Sequence, residues 1–243
     1  MTVPSSNTET ERIREAYSRR KHGATAVRYS LLEPSHLLRF QELERRILFR
    51  LARAFPEGLA SKTILEIGCG TGYWLRQWVN WGANPTRITG VDVIPERTAL
   101  ARSLCAPEVT ILSCDASRLE IPDHSFDLVM QSTVFSSILE NGARGALARE
   151  MSRLVKPGGL ILWYDFFVNN PRNPDVRRVS KSEIKRLFPG FGLDCERISL
   201  APPLGRMPLF KLPFFYWVAS QLKLACTHYL AVLTKPPEVW KKK

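Results

Sequence analysis

The sequence lacks the features that mark membrane-spanning and secreted proteins. No apolar run reaches the roughly 18 residues that a helix needs to cross a bilayer. The first residues, MTVPSSNTETERIREAYSRRKHG, are polar and contain no apolar signal region. We therefore expect a cytoplasmic protein. One apolar segment near the C-terminus keeps contact with the inner face of a membrane as an alternative.

Cysteine is also scarce, since the 243 residues include only five and no two of them have the C-x-x-C spacing. A scattered, odd-numbered set argues against a disulfide framework and against a structural zinc site. Histidine and acidic residues do not converge at ligand spacing either, so we expect no catalytic metal. The cysteines are then expected to be small buried residues in a reducing compartment.

The net charge, by contrast, is high, because 35 Lys and Arg face 23 Asp and Glu and leave a formal charge of +12. Such a balance is compatible with nucleic acid, an anionic membrane surface or an acidic substrate as partner. The basic residues are nevertheless spread along the chain, apart from a loose cluster over residues 12–28 and a Lys241–Lys243 tail. We expect the charge mainly to keep the protein soluble.

Apolar periodicity predicts an amphipathic helix over Glu33–Ala54, followed by short apolar runs that alternate with helices. This alternation indicates an α/β fold, a doubly wound, seven-stranded and mostly parallel sheet, with an N-terminal helical extension. The last two strands lack a standard crossover helix and are expected to form an antiparallel edge pair. The predicted strands are Thr63–Ile67, Arg87–Asp92, Val109–Ser113, Phe126–Gln131, Leu160–Phe166, Leu193–Leu200 and Cys226–Leu233.

Two units follow from this pattern. Residues 1–58 are expected to form the helical extension, with residues 1–12 as a frayed end. Residues 59–243 are expected to form one catalytic domain, which carries an apolar insertion at about residues 202–225.

The first predicted strand ends in Glu66-Ile67 and leads into a glycine-rich turn, Gly68-Cys69-Gly70-Thr71-Gly72. Glycines allow the chain to turn sharply from strand to helix and to approach a ligand closely. The G-x-G-x-G spacing differs from the dinucleotide motif, and no phosphate-loop G-K-[ST] follows it. Asp92 ends the second strand and Asp115 follows the third. Ligands bind in open α/β sheets at this carboxyl edge, although each acid alone is equally typical of a helix cap.

The segments LEIGCGTG, VDVIPE, CDASRLEIPDHSFDLVMQS and RLVKPGGLILWYDF, in this order, resemble the motifs of class I S-adenosylmethionine-dependent methyltransferases of the type 11 kind. The resemblance implies that Glu66 and the loop glycines hold the methionine part of the cofactor. It further implies that Asp92 holds the ribose, that Asp115 and the backbone of Ala116 read the adenine, and that Gln131 lines the same pocket. The implied cofactor-binding residues are Glu66, Gly68, Cys69, Gly70, Thr71, Gly72, Asp92, Val93, Asp115, Ala116 and Gln131.

The acceptor is less constrained. Members of this fold that methylate amino groups of nucleobases usually carry N-P-P-[YF] or D-P-P-[YF] after strand four, where this chain has Gln131-Ser132-Thr133-Val134. A nucleic-acid acceptor is therefore not expected. The segment from Trp163 onward resembles a bacterial subgroup associated with polysaccharide and secondary-metabolite synthesis, which implies O-methylation of a small-molecule or glycan-like acceptor. Asp165 is a candidate base for the acceptor hydroxyl or, equally, a cap, while Tyr17 and Tyr29 are candidates for a lid over the cofactor.

The insertion at 202–225, which reads PPLGRMPLFKLPFFYWVASQLKLA, is apolar, rich in aromatic residues and dotted with basic ones. It is expected to cap the substrate cleft or to pack in a homodimer. Alternatively it lies in a membrane interface and reaches a quinone or lipid-linked acceptor. A third alternative for the insertion is that it belongs to the core. For the whole chain, the alternative to an enzyme is a non-catalytic module that retains the cofactor fold.

Overall fold

In the computed structural model, residues 6–20, 32–170, 173–223 and 225–238 are described. The centre of the molecule is a seven-stranded sheet with the order β3-β2-β1-β4-β5-β7-β6. Strands β1 to β5 run parallel, and β7 is antiparallel to both of its neighbours. This confirms the predicted fold class, including the antiparallel edge pair. The strands are β1 (Ile64–Ile67), β2 (Ile88–Asp92), β3 (Thr110–Ser113), β4 (Phe126–Ser132), β5 (Val155–Phe166), β6 (Gly192–Leu200) and β7 (Cys226–Thr234).

Helices cover both faces of the sheet, and several begin where the sequence carries a start signal. Proline occupies the first turn of the helices that begin at Pro34 and Pro95, where its missing N–H costs nothing. Ser180 accepts a hydrogen bond from the Glu183 amide at 3.1 Å and caps the helix that begins at Lys181. The helices are α1 (Ser6–Arg20), α2 (Pro34–Ala54), α3 (Tyr73–Asn80), α4 (Pro95–Leu104), α5 (Asn141–Leu154), α6 (Lys181–Leu187), α7 (Pro202–Gly205) and α8 (Pro213–Leu222).

Two apolar layers pack against the two faces of the sheet. Ile47 of α2 and Trp78 of α3 belong to the layer that contains Met130 of β4. Leu147 of α5 lies in the other layer, with Trp163 of β5. Because every residue of β1 is buried, this strand forms the middle of both layers. The neighbouring strands β1 and β4 start crossovers in opposite directions, so a crevice opens between their carboxyl ends.

Two predicted boundaries were wrong. Residues 1–12 were expected to be frayed, but α1 begins at Ser6 and is held by contacts to the sheet edge, with Ala16 only 3% exposed. The fifth strand was expected to begin at Leu160, but β5 begins at Val155, which pairs with Phe126 before the register shifts. None of the described helices is long and apolar enough to span a membrane.

Candidate cofactor site and its cover

The glycine loop follows β1 and has a conformation that only glycine adopts readily. The φ angles of Gly68, Gly70 and Gly72 are +69°, +54° and +75°. The amides of Gly68 and Cys69 donate to the Val91 carbonyl at 2.7 and 3.0 Å, which fixes the loop on β2. A Cβ on Gly68 would overlap the side chain of Val134. The loop is therefore packed against both neighbours of β1.

Asp92, at the end of β2, connects the glycine loop after β1 to the end of β2. The Gly70 amide donates to its Oδ2 at 2.8 Å, and the Ile94 amide donates to its Oδ1 at 2.9 Å. The side chain is 6% exposed. Each carboxylate oxygen can accept more than one hydrogen bond, so the two ties leave acceptor capacity for a ligand hydroxyl.

Glu66 lies at the floor of the same site. It is 2% exposed, and its Oε2 has no hydrogen-bond partner among the described residues. Burial, and secondarily the neighbouring Asp92 carboxyl, raise the pKa of Glu66 well above its usual range. A buried carboxyl with an unused acceptor is the environment in which a ligand cation would be held.

Asp115 completes the acidic edge after β3. Its Oδ1 accepts from the Ser117 amide at 2.8 Å, and its Oδ2 accepts from the Thr10 hydroxyl at 3.3 Å. Asp115, Ala116 and Val93 are all half-buried. The structure therefore brings Glu66, Asp92 and Asp115 to the ends of three adjacent strands, in the order that the sequence predicts.

Three other predicted cofactor residues, Cys69, Thr71 and Gln131, have contacts within the protein. The Cys69 side chain is buried against Gly90 of β2, and burial raises the pKa of its thiol. The carbonyl of Thr71 accepts from Arg76 at 2.9 Å. Gln131 is fully buried, and its Oε1 accepts from the Val134 amide at 3.0 Å. Gln131 thus shapes the turn after β4, and its predicted place in the lining of the cofactor pocket stays a prediction.

Asp165 is fully buried near the carboxyl end of β5. Its Oδ2 accepts from the Ser136 amide at 3.0 Å and its Oδ1 from the Phe166 amide at 2.8 Å. Burial raises its pKa to about 6, against the opposing effect of these hydrogen bonds. Both oxygens accept hydrogen bonds from backbone amides. This is the geometry of a capping residue, which is one of the two roles that the sequence allows for Asp165, the other being a base.

Part of the predicted N-terminal helical extension lies over this site. Helix α1 lies across the carboxyl edge, where Arg14 donates to the Val93 carbonyl at 3.1 Å. The Tyr17 ring lies 4.7 Å from the guanidinium of Arg97, a side chain that also lies next to Gly70. Glu9 accepts from the Leu139 amide at 2.6 Å. Tyr17, a candidate lid residue, is thus placed over the loop, while Tyr29 falls outside the described residues.

The turn after β4 carries a further signal that the sequence does not show. Thr133 has φ +58°, a strained conformation for a β-branched residue, and its amide donates to the Tyr164 carbonyl at 2.7 Å. This conformation places Val134 against Gly68. The strained turn therefore joins the loop of β1 to the end of β5.

The residues present fit S-adenosylmethionine. That molecule carries an ammonium, a sulfonium, ribose hydroxyls and an adenine amino group, so it offers cations and donors to an acidic site. The buried, unpartnered Glu66 Oε2 and the acceptor capacity of Asp92 match these groups in kind. Among the described residues, no group of three or more His, Cys, Asp and Glu side chains could hold a metal ion.

Comparison with known proteins agrees with this geometry. Residues 64–159 match a family model described as a methyltransferase domain. The tRNA N(3)-cytidine methyltransferase METTL2 of Gallus gallus is 31% identical over 145 residues, which are 56% of this chain and 39% of that protein. The 2-methyl-6-phytyl-1,4-hydroquinone methyltransferase of a Synechocystis strain is 30% identical over 129 residues, 52% of this chain and 39% of that protein.

Among solved structures, an S-adenosylmethionine dependent methyltransferase from Mesorhizobium loti superposes with a TM-score of 0.56 at 19% identity. The match covers 76% of this chain and 95% of that one, and it shows the fold. The chain spans only about two fifths of the length of the two curated relatives. Residues 64–159 thus match a methyltransferase domain, and the chain has the fold seen in the S-adenosylmethionine dependent methyltransferase from Mesorhizobium loti.

Proposed function

We propose that the chain transfers a methyl group from S-adenosylmethionine to an oxygen of a small-molecule or glycan-like acceptor. The observation that supports the cofactor is the buried Glu66 carboxyl, which has an unpartnered oxygen and lies in line with Asp92 and Asp115. When bound, S-adenosylmethionine supplies an activated methyl group and leaves as S-adenosylhomocysteine. The protein then gains rate mostly by positioning its two ligands.

Each part of the site has a task in this proposal. Glu66 and the backbone of Gly68–Gly72 hold the methionine end, Asp92 accepts from the ribose, and Asp115 with Ala116 contacts the adenine. Val93 contributes its backbone beside the ribose. Residues 1–58 act as extension and lid over residues 59–243, which form the catalytic domain with its insertion at 202–225. The contacts of α1 with Val93 and Asp115 support the lid.

The acceptor side is assigned to the turn after β4 and to the end of β5. Asp165 holds this turn through the Ser136 amide, so we propose it as a positioning residue. In this role it would fix Thr133 and Val134 at the mouth of the crevice. A direct role as base requires that one of its two backbone hydrogen bonds opens first.

A second candidate is methylation of a quinone or another lipid-linked acceptor at a membrane surface. One observation favours it, namely the set of apolar side chains exposed between Met207 and Leu222. The names of the two curated relatives, one acting on tRNA and one on a hydroquinone, do not decide between acceptors.

The test uses S-adenosylmethionine labelled in the methyl group and three acceptor pools from the source cells: polar small molecules, extracted lipids and total tRNA. We expect label in the polar pool. Label in tRNA is not expected, since the N-P-P-[YF] or D-P-P-[YF] motif of nucleobase methylation is missing after β4. Label confined to the lipid pool would favour the second candidate, and label in tRNA would contradict both. Asp92→Ala, which loses the ribose contact, serves as the negative control.

Asp165→Asn is the matched variant for the acceptor side. We expect a clear drop in kcat with nearly unchanged cofactor affinity, because the turn that Asp165 holds loses one acceptor of a backbone hydrogen bond. The residual rate of the variant separates the two roles. Protonation of Asp165, whose pKa is about 6, gives the wild type an acidic limb in either role, because a protonated carboxyl neither takes a proton nor accepts both backbone hydrogen bonds. Loss of a base should leave almost no turnover in Asp165→Asn at any pH, whereas loss of a positioning carboxyl leaves a reduced rate that no longer falls below pH 6.

A further inference from the structure

Helix α8 presents most of its large apolar side chains to solvent, while the polar Tyr216 and Ser220 face the protein. Tyr216 and Ser220, one turn apart, are 4% and 2% exposed. The Tyr216 hydroxyl donates to Oε2 of the buried Glu42 at 3.1 Å. On the other side of the helix, Phe214, Trp217 and Leu222 are 65%, 48% and 61% exposed. A helix on the surface of a soluble protein normally has the reverse arrangement.

The exposed apolar side chains of this short segment lie close together in sequence, and we call them the outer apolar face. Phe214 contacts both Phe215 and Trp217, with ring centroids 5.5 and 6.5 Å apart. Single exposed apolar residues are ordinary, whereas a contiguous group marks a binding surface. The outer apolar face consists of Met207, Leu209, Leu212, Phe214, Phe215, Trp217 and Leu222.

The charge of the segment is of one sign. Residues 202–223 contain Arg206, Lys211 and Lys223 and no acidic residue. Lys211 and Lys223 lie 3.7 and 3.9 Å from Glu33 and Glu196, and they remain 43% and 46% exposed. Exposed pairs of this kind are weak, so the ammonium groups stay available to another anion.

We propose that the outer apolar face docks onto an anionic lipid bilayer, with α8 lying in the plane of the interface. Aromatic and leucine side chains would enter the boundary between headgroups and acyl chains, and the three basic residues would meet the lipid phosphates. A second copy of the chain fits less well. A two-fold interface would bring these basic residues onto each other, and the segment offers no carboxylate to pair with them.

The proposal does not depend on methyl transfer, because bilayer binding requires neither cofactor nor acceptor. It does bear on how an acceptor reaches the site. Glu42 also accepts from the Ser199 amide at 3.3 Å, and the Ser199 hydroxyl lies 3.0 Å from that of Tyr164 on β5. A bilayer bound to α8 would therefore lie on the β5 side of the crevice, next to the turn assigned to the acceptor.

The experiment measures co-sedimentation of the full chain with vesicles at physiological salt. One set of vesicles contains phosphatidylcholine alone, and the other also contains phosphatidylserine. The test variant is Phe214→Ser with Trp217→Ser. The matched control is Leu100→Ser with Leu104→Ser, two α4 side chains that are 47% and 49% exposed. Calorimetric titration with S-adenosylhomocysteine shows that every variant is folded and that its cofactor site is intact.

We expect binding to the anionic vesicles only, a loss of at least about tenfold in the Phe214/Trp217 variant, and no loss in the control. Wild-type fluorescence should also shift to the blue on vesicle addition, and Trp217→Phe should abolish the shift. Absence of binding to anionic vesicles would overturn the proposal, as would an equal loss in both double variants. A dimer in light scattering that the Phe214/Trp217 variant dissociates, without vesicle binding, would assign the face to a second copy instead.

Discussion

Glu66 sits below the glycine loop with one oxygen that has no hydrogen-bond partner among the described residues. Leaving a carboxyl in this state lowers the free energy of unfolding, because burial penalises its charged form. The raised pKa of Glu66 expresses the same cost. Strained or unsatisfied groups of this kind are typical of sites whose ligand relieves the cost.

Replacing Glu66 by Gln should therefore separate stability from binding. A carboxyl whose pKa is raised on folding stabilises the fold below its unfolded pKa, and this contribution is lost as pH rises through the folded pKa. The neutral amide has no such dependence. We expect Glu66→Gln to melt above the wild type by a margin that widens between pH 5 and pH 8, and to bind S-adenosylmethionine more weakly.

Thermal melts across that pH range, together with calorimetric titration, check both expectations. Asp127→Asn offers a matched control, because the Asp127 pKa is lowered, despite partial burial, by hydrogen bonds from Thr63 and Lys156. That variant should be less stable than the wild type by a margin that stays constant between pH 5 and pH 8, because Asp127 is ionised throughout this range in both the folded and the unfolded chain. A Glu66→Gln margin that is constant with pH would show that the carboxyl is not strained in the fold.

The residue types at the carboxyl edge could be predicted from the sequence, but the directions of their side chains could not. Asp92 and Asp115 follow strands whose apolar runs are plain, so their positions follow from strand alternation. Gln131 follows the same rule and yet is fully buried, since its amide holds the Val134 backbone. The turn also depends on the positive φ of Thr133, which no local sequence signal reveals.

Among the elements, α1 is the one that we propose as a lid, because it contacts Val93 and Asp115 at the carboxyl edge. Its sequence is mostly polar, and among its described side chains only Ala16 is buried, so the helix has no apolar stripe from which it could be predicted. Its stability comes from side-chain contacts with the strand ends, such as those of Glu9 and Arg14. Helices held by few buried contacts open at low cost, and this suits a lid.

A single lid contact can be tested with a matched pair of variants. Glu9→Ala removes the acceptor of the Leu139 amide, whereas Glu11→Ala removes an exposed carboxylate from the same helix. A hydrogen bond to a charged group contributes about 1.5–3 kcal/mol, so Glu9→Ala should raise the dissociation rate of S-adenosylhomocysteine at least about tenfold. Stopped-flow displacement measures this rate. Equal rates for the two variants would mean that α1 does not gate the cofactor.

The strands could be predicted well because each is a short apolar run between turn signals, and the antiparallel edge pair followed from the missing crossover helix. The start of β5 could not, since its first residues contain Pro157 and Gly158, which read as a turn. There Gly158 has φ +75°, and the register shifts between Phe126 and Leu128 on β4. An irregular strand of this kind is specified by its pairing partner and not by its own sequence.

At the scale of the whole molecule, the cofactor half and the acceptor half are specified to different degrees. The first is carried by a loop and two acids in fixed register with the sheet. The second is spread over the turn after β4, the end of β5 and the segment before β7. These parts meet only in the folded chain, so the sequence constrains the acceptor little. In the proposed docking of the outer apolar face onto an anionic bilayer, part of the basic charge of the molecule would contact lipid phosphates.

The central claim is that the edge formed by Glu66, Asp92 and Asp115 binds S-adenosylmethionine. Calorimetric titration of the full chain with S-adenosylhomocysteine tests it most directly, because the product binds without turnover. We predict one site per chain with micromolar affinity, and at least tenfold weaker binding in Asp92→Ala, which removes an acceptor worth about 1.5–3 kcal/mol. No binding heat for the folded wild type, or an unchanged affinity in Asp92→Ala, would contradict the account.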